Sequence, residues 1–290
     1  MTKKVLVTGV STGIGRAIAE RFLEEGYMLF GTYYSSPKEA NELIEKYGYK
    51  YVKLLGPYDF SKIHEVQDLL DKLKDYTFDS IVCNAGTFSE NDDFNNFNLK
   101  LFNETMNCNF YAPLIITTGL KDNIKDGGSI IVISSNDAYS GAYLSMSYTI
   151  SKASLLSLIK CLSVNLGNKN IRVNSVAPGA IDTNMNTKEQ MNISPYFTPL
   201  SRVGNPRDVA GVVYFLASDE SSFISGENIT IDGGYNVVSV LLKSEADANL
   251  SKLLQTFIKD TEFINILNDY VSKKKSSDNN LEDYTKQTIN

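Results

Sequence analysis

A chain of 290 residues, 42% hydrophobic and 21% charged, is long enough to bury a sizeable core as one or two domains. A formal charge of −6 and a pI near 5.0 exclude the strongly basic face that a nucleic-acid partner requires. No apolar run approaches the ~20 residues of a membrane span, and the single histidine, His64, excludes a multi-histidine metal site.

The chain opens on Val5-Leu6-Val7, a short apolar run that reads as a strand rather than a signal peptide. It is ended by Thr8-Gly9-Val10-Ser11-Thr12-Gly13-Ile14-Gly15 and followed by a helical pattern from Ala17 to Leu23, closing at Glu25-Gly26. Strand, glycine-rich turn and helix together form the setting in which backbone N–H groups and a helix N-terminus receive a phosphate.

Alternation continues. Met28-Leu29-Phe30-Gly31-Thr32 is a second strand, residues 37–47 a helix with proline in its first turn, and Tyr51-Val52-Lys53-Leu54-Leu55 a third strand. A helix over 61–74 carries His64, which reads as a solvated surface residue and leaves no basis for a Ser-His-Asp triad. A fourth strand at 79–82 runs into Cys83-Asn84-Ala85-Gly86, a long helical region covers 99–124, and Ser129-Ile130-Ile131-Val132-Ile133 is the fifth strand. The helix over 148–166 leads to a sixth strand at 171–176. Asn205-Pro206-Arg207-Asp208 starts a helix ending near Ala217, and Asn228-Ile229-Thr230-Ile231 is the seventh strand. The three cysteines, Cys83, Cys108 and Cys161, have no metal-ligand spacing and read as the reduced thiols of a cytoplasmic protein.

Strands alternating with helices imply a parallel sheet covered on both faces, with ligands beyond the carboxyl ends of the strands. The unusual residues fall at those ends: the glycine loop after strand one, Asn84-Ala85-Gly86 after strand four, Ser134-Ser135 after strand five, Pro178-Gly179 after strand six. They are expected to converge on one rim. Tyr148 and Lys152, four residues apart, share one helix face. A positive charge close to a phenol lowers its pKa, so Lys152 is expected to bring Tyr148 down from its ordinary value near ~10.

With these pieces assembled, the chain resembles the short-chain dehydrogenase/reductase family in Thr8-Gly9-x-x-x-Gly13-Ile14-Gly15, Asn84-Ala85-Gly86, Asn109, Ser135, Tyr148-x-x-x-Lys152, Pro178-Gly179 and the stretch from Arg202 to Gly234. Within the family it looks most similar to 3-oxoacyl-carrier-protein reductases and related ketoreductases. The resemblance implies an α/β fold: a single Rossmann-type, doubly wound parallel sheet of about seven strands in a domain over 1–236. The tail, 237–290, has apolar residues at helical spacing from Leu250 to Val271, giving an extra helix over about 247–272 before a polar, disordered end.

The resemblance also implies roles. Tyr148 protonates the carbonyl oxygen, Lys152 tunes it and holds the nicotinamide ribose, Ser135 hydrogen-bonds the substrate oxygen, and Asn109 anchors a proton-relaying water. Gly9, Ser11, Thr12, Gly13, Ile14 and Gly15 surround the diphosphate and adenosine ribose. Asp59 and Phe60 flank the adenine, Asn84, Ala85 and Gly86 line the adenosine side, and Pro178, Gly179, Ile181 and Thr183 hold the carboxamide. Tyr33, at the end of strand two, takes the place where an NAD enzyme carries a carboxylate. With Ser35 and Ser36 following and Lys38 nearby, this favours NADPH over NADH, although Thr12 stands where many NADP enzymes place an arginine.

The function expected is an NADPH-dependent ketoreductase, with a β-ketoacyl thioester favoured and fatty acid or polyketide biosynthesis as its setting. A sugar, polyol or other secondary-alcohol dehydrogenase is the alternative, and a non-catalytic cofactor-binding scaffold a remote one. Enoyl reductases of the superfamily place six residues between tyrosine and lysine, where this chain has Ser145. Lys121, Lys125 and Lys169 are the candidate basic contacts for an acidic carrier. Met185, Met191, Tyr196 and Phe197 are the expected substrate contacts in the loop over 182–201. A homo-oligomer, dimer or tetramer, is expected, with no nucleic acid, membrane or metal. The tail helix is a possible docking element for a protein partner.

Overall fold

Period-two alternation along each strand decides which helix layer a residue meets. In the computed structural model, which describes residues 2–88 and 92–238 together with Asn265, the strands are β1 (Lys4–Val7), β2 (Met28–Thr32), β3 (Val52–Leu55), β4 (Phe78–Cys83), β5 (Ile124–Ile133), β6 (Arg172–Pro178) and β7 (Asn228–Ile231). They form one parallel sheet in the order β3-β2-β1-β4-β5-β6-β7. Leu6, Ile81, Ile130, Val132 and Val173 point to one apolar core, and Val5, Val7, Val82, Ile131 and Val176 to the other.

The helices between strands cover both faces, as parallel crossovers require. They are α1 (Gly13–Glu24), α2 (Pro37–Tyr47), α3 (Ile63–Leu73), α4 (Leu99–Met106), α5 (Ala112–Gly119), α6 (Met146–Leu166), α7 (Lys188–Phe197) and α8 (Pro206–Ala217). Helices α1 and α8 supply Ile18, Phe22, Val209 and Val213 to one core; α3, α5 and α6 supply Leu69, Ile116, Leu155 and Ile159 to the other.

Two elements differ from the expectation. The long helical region is broken after α4 by a π-turn, Asn107–Tyr111, and ends at Gly119. Asn109, inside that turn, is buried and bonded across to another loop, so a tertiary contact displaces the regular helical ladder there. The segment over 182–201 carries α7, whose start is a capping box between Thr187 and Gln190. Helix α6 extends into a segment, Met146–Lys169, long and apolar enough to cross a membrane by composition. Leu155, Leu158, Ile159 and Leu162 nevertheless pack it into the core. Residue contacts divide the chain into Met1–Asn236 and Val237–Asn290. The expected tail helix at 247–272 and the polar end lie outside the described residues.

Strand order reverses between β1 and β4, one strand connecting outward to β2 and the other to β5. A crevice opens at such a point beyond the carboxyl ends.

Candidate active site

The loops after β1 and β4 are stapled together at that crevice. Thr8 Oγ1 accepts from the backbone N–H of Asn84 and of Ala85, each at 2.9 Å. The Asn84 side chain donates to the carbonyls of Thr8 (2.9 Å) and Gly9 (3.2 Å). The close approach explains Gly15: a Cβ there would lie 1.9 Å from the Gly9 carbonyl oxygen and 2.3 Å from Asn84 Nδ2. Gly9 and Gly13 have φ of +73° and +57°, which L side chains rarely adopt.

These loops form one wall of a cavity of about 780 Å³. Gly9, Ser11, Thr12, Gly13, Ile14 and Gly15 line it with Asp59, Phe60, Asn84, Ala85 and Gly86, and so do Ser135, Tyr148, Lys152, Pro178, Gly179, Ile181 and Thr183. The convergence expected on one rim is thus seen. A backbone cradle with glycine at three positions, Gly9, Gly13 and Gly15, at the N-terminus of α1 and opening into a cavity of this size fits a dinucleotide.

Tyr33 does not line this cavity. Its backbone is committed to Leu55 and Tyr58, and its ring packs against Gly56, while Tyr34, Ser35 and Ser36 face the cavity instead. Tyr33 follows the last residue of β2, and its backbone bonds and its contact with Gly56 hold it away, so the residues after it take the place expected for it. Asp59 is at the cavity, but its Oδ1 accepts from Ser61 N (3.1 Å) and Ser61 Oγ (2.7 Å), and its Oδ2 pairs with Lys62 at 3.3 Å. Burial pushes its pKa up, yet those partners outweigh it and hold the carboxyl below its ordinary value. In the 182–201 segment, Met185 lines the cavity with Asn184, Asn186, Gln190 and Ser194; Met191, Tyr196 and Phe197 do not.

The reactive end is built on α6. Lys152 is buried, and its Nζ donates to the Ile133 carbonyl at 2.8 Å. Nζ lies 5.6 Å from the centre of the Tyr148 ring. Burial lowers the Lys152 pKa to about 8 and raises that of Tyr148 to about 12. The expected lowering of the phenol by Lys152 is therefore reversed. Low dielectric penalises both charged forms, and the ammonium is directed at a backbone carbonyl. Ser135 pulls the Tyr148 value down in part, while the charge of Asp137 pushes it up.

Asn109 is fully engaged. Its Nδ2 donates to the Thr87 carbonyl (2.9 Å) and to Ser151 Oγ (3.0 Å), and its Oδ1 accepts from Thr87 N–H (2.8 Å). Ser151 Oγ in turn donates to the Tyr148 carbonyl at 2.7 Å. The loop after β4 is thereby linked through the π-turn to the turn of α6 that presents Tyr148. Asn109 and Lys152 face the same small space over Gly86, where a Cβ would lie 3.2 Å from Asn109 Oδ1 and 3.4 Å from Lys152 Nζ.

Several residues at the site carried no local signal. Phe88 packs edge-on against Tyr148, ring centres 5.2 Å apart. Ser134 Oγ donates to the Lys152 carbonyl at 3.0 Å. Ser151, Phe88 and Asp137 matter by contact alone, whereas Thr8 and Ser134 belong to stretches the sequence marks, without the bonds they make being legible there.

Chemically, a phenol, a hydroxyl and a lysine beside a dinucleotide cradle can move a proton to or from an oxygen on a substrate carbon. A bound nicotinamide dinucleotide supplies or removes the hydride. In that setting Ser135 has a hydroxyl placed to orient such an oxygen, Tyr148 a phenol placed to exchange its proton, and Lys152 a positive charge near the phenol.

Fold and site together define a dinucleotide-dependent oxidoreductase of the Rossmann type. The family model described as enoyl-(acyl carrier protein) reductase matches residues 9–236. The 3-oxoacyl-(acyl-carrier-protein) reductase FabG of Aquifex aeolicus is 34% identical over 80% of this chain and 96% of its own. The L-rhamnose 1-dehydrogenase (NAD(P)(+)) of a Sphingomonas species is 33% identical over 81% and 96%. Among solved structures, a short chain dehydrogenase from Burkholderia cenocepacia in complex with NADP aligns with a TM-score of 0.76 at 30% identity, covering 81% of this chain and 98% of that one. The chain belongs to the short-chain dehydrogenase/reductase family and is an oxidoreductase acting on alcohol and carbonyl groups.

Proposed function

We propose that the protein is an NADPH-dependent reductase of small carbonyl compounds, working reversibly on the matching secondary alcohols, with Tyr148 as proton donor. The observation that carries this reading is Tyr148, Ser135 and Lys152 on the wall of the same cavity as the Gly9–Gly15 cradle.

NADPH is favoured because the residues facing the cavity after β2, Tyr34, Ser35 and Ser36, include no carboxylate to repel a 2′-phosphate. Ser36 is the N-cap of α2 and lines the cavity, and its side chain makes no capping hydrogen bond. The Burkholderia neighbour solved with NADP supports the same choice.

The Aquifex relative supports a β-ketoacyl thioester as substrate. The basic contacts expected for an acidic carrier are, however, largely neutralised: Lys169 pairs with Asp122 at 2.7 Å and Lys125 with Asp79 at 2.8 Å. A free substrate therefore fits better, in keeping with the Sphingomonas relative. Exposed Ile150 and Val164 on one face of α6 and Leu99 on α4 support a homo-oligomer formed through these helices. Light scattering checks it.

The test is oxidation of NADPH, followed by nicotinamide absorbance, against a panel of free ketones, hydroxy-ketones, open-chain sugars and acetoacetyl thioester. Turnover of a free carbonyl faster with NADPH than NADH is expected. Tight cofactor binding without turnover of any member overturns the reading in favour of a scaffold.

A further inference from the structure

Asp137 has no part in the chemistry described so far, yet it stands at the reacting end of the cavity. It lies in the 3-10 turn Asn136–Tyr139 directly after β5, and its backbone N–H donates to Ser135 Oγ at 3.1 Å. Its half-buried side chain lines the cavity, interacts with the Ser135 hydroxyl and bears electrostatically on Tyr148. Among the described residues, no lysine or arginine forms an ion pair with it.

A half-buried carboxylate with no cation beside it is stabilised by hydrogen-bond donors, and a bound substrate that displaces water from it must supply one. A substrate whose oxygen meets Tyr148 and Ser135 lies in the cavity whose wall includes Asp137, two residues from Ser135. The second carbonyl of a β-keto thioester would bring an acceptor to an acceptor. A hydroxyl there would donate to the carboxylate, and an ammonium would add charge complementarity. Three other polar wall groups are occupied within their own segment: the Asn186 amide donates to the Ile181 carbonyl, the Gln190 side chain accepts from Thr187 N–H, and Ser194 Oγ donates to the Gln190 carbonyl. Asn136, next to Asp137, accepts from Ser135 Oγ at 3.5 Å.

We propose that Asp137 is a specificity-determining residue that selects substrates bearing a hydrogen-bond donor, a hydroxyl or an ammonium, on the carbon next to the reacting carbonyl. The inference rests on the carbonyl-reductase reading above and names the substrate class for that site. With a hydroxy-ketone, hydride is added to the carbonyl carbon, the proton comes from Tyr148, and NADPH leaves as NADP⁺ with a vicinal diol as product.

The experiment compares kcat/KM for hydroxyacetone, aminoacetone and butanone with NADPH, in the wild type and in Asp137→Ala. Sites that bind a substrate hydroxyl reject analogues lacking it strongly, so the wild type is expected to prefer a donor-bearing ketone over butanone by about tenfold or more. Asp137→Ala is expected to reduce that ratio at least about tenfold. The better of hydroxyacetone and aminoacetone identifies the donor. Should the alanine variant not fold, Asp137→Asn, of nearly the same shape, carries the comparison, with aminoacetone losing most because the charge is gone. A ratio unchanged by either variant, or a wild type preferring butanone or acetoacetyl thioester, overturns this inference while leaving the carbonyl reductase intact. Binding of NADPH without turnover of any ketone overturns both.

Discussion

The Lys152 ammonium nitrogen stands 5.6 Å from the centre of the Tyr148 ring, one turn along the same helix, and is anchored at 2.8 Å to the Ile133 carbonyl. The pair is held by the end of β5 as much as by its own helix. Replacing Tyr148 by phenylalanine removes only the phenolic oxygen. Turnover is expected to fall about 10²–10⁴-fold, the usual worth of a positioned acid, with NADPH affinity retained. Stopped-flow absorbance and a fluorescence titration check both halves.

Burial of the same pair makes stability depend on pH. Lys152 drops from 10.5 to about 8, so between these values the unfolded chain binds more protons and stability rises with pH. The full span is about 3 kcal/mol. Tyr148 is raised from 10.0 to about 12, so over that window the folded chain holds the extra proton and stability falls as pH rises. Urea midpoints for the wild type should climb between pH 8 and 10 relative to Lys152→Met. Parallel curves would refute the buried-ammonium account.

Gly15→Ala places a Cβ 1.9 Å from the Gly9 carbonyl oxygen, so the cradle must open. NADPH affinity should fall at least about tenfold, with a lower melting temperature. Gly211→Ala in α8, where a Cβ meets nothing within 4 Å, should instead raise stability by about 0.5–1 kcal/mol. Thermal melts of the two variants side by side make the comparison.

Asn109→Ala strips three hydrogen bonds and leaves the partly buried Thr87 N–H and C=O without these partners. A loss of about 2 kcal/mol or more is expected, together with a lower kcat, because Ser151 and the Tyr148 turn lose their link to the loop after β4. Denaturant unfolding and steady-state kinetics check the two effects separately.

Ser36→Asp keeps an acceptable N-cap for α2 and adds a carboxylate at the cavity. The KM for NADPH should rise at least about tenfold relative to that for NADH. An unchanged ratio would place the 2′-phosphate elsewhere.

Strand and helix identities followed from local periodicity. Residues 37–47, 206–217 and 228–231 could be bounded from proline, caps and alternation because those signals act within a few residues. The π-turn at Asn109 could not, since a bond to Thr87, 22 residues away, breaks the helix there.

By itself the sequence determined the α/β class, a sheet covered on both faces, the placing of Gly9–Gly15 and Ser135 at strand ends, and that of Tyr148 and Lys152 on one face of the helix that follows. All of these depend on local geometry repeated along the chain. Only the tertiary structure decided that Tyr33 turns away while Tyr34 and Ser36 face the cavity, that Lys125 and Lys169 are paired, that Asp137 reaches the reacting end, and that burial drives the Tyr148 pKa upward. Those outcomes depend on distances and dielectric between segments far apart in the chain, which exist only once the sheet has assembled.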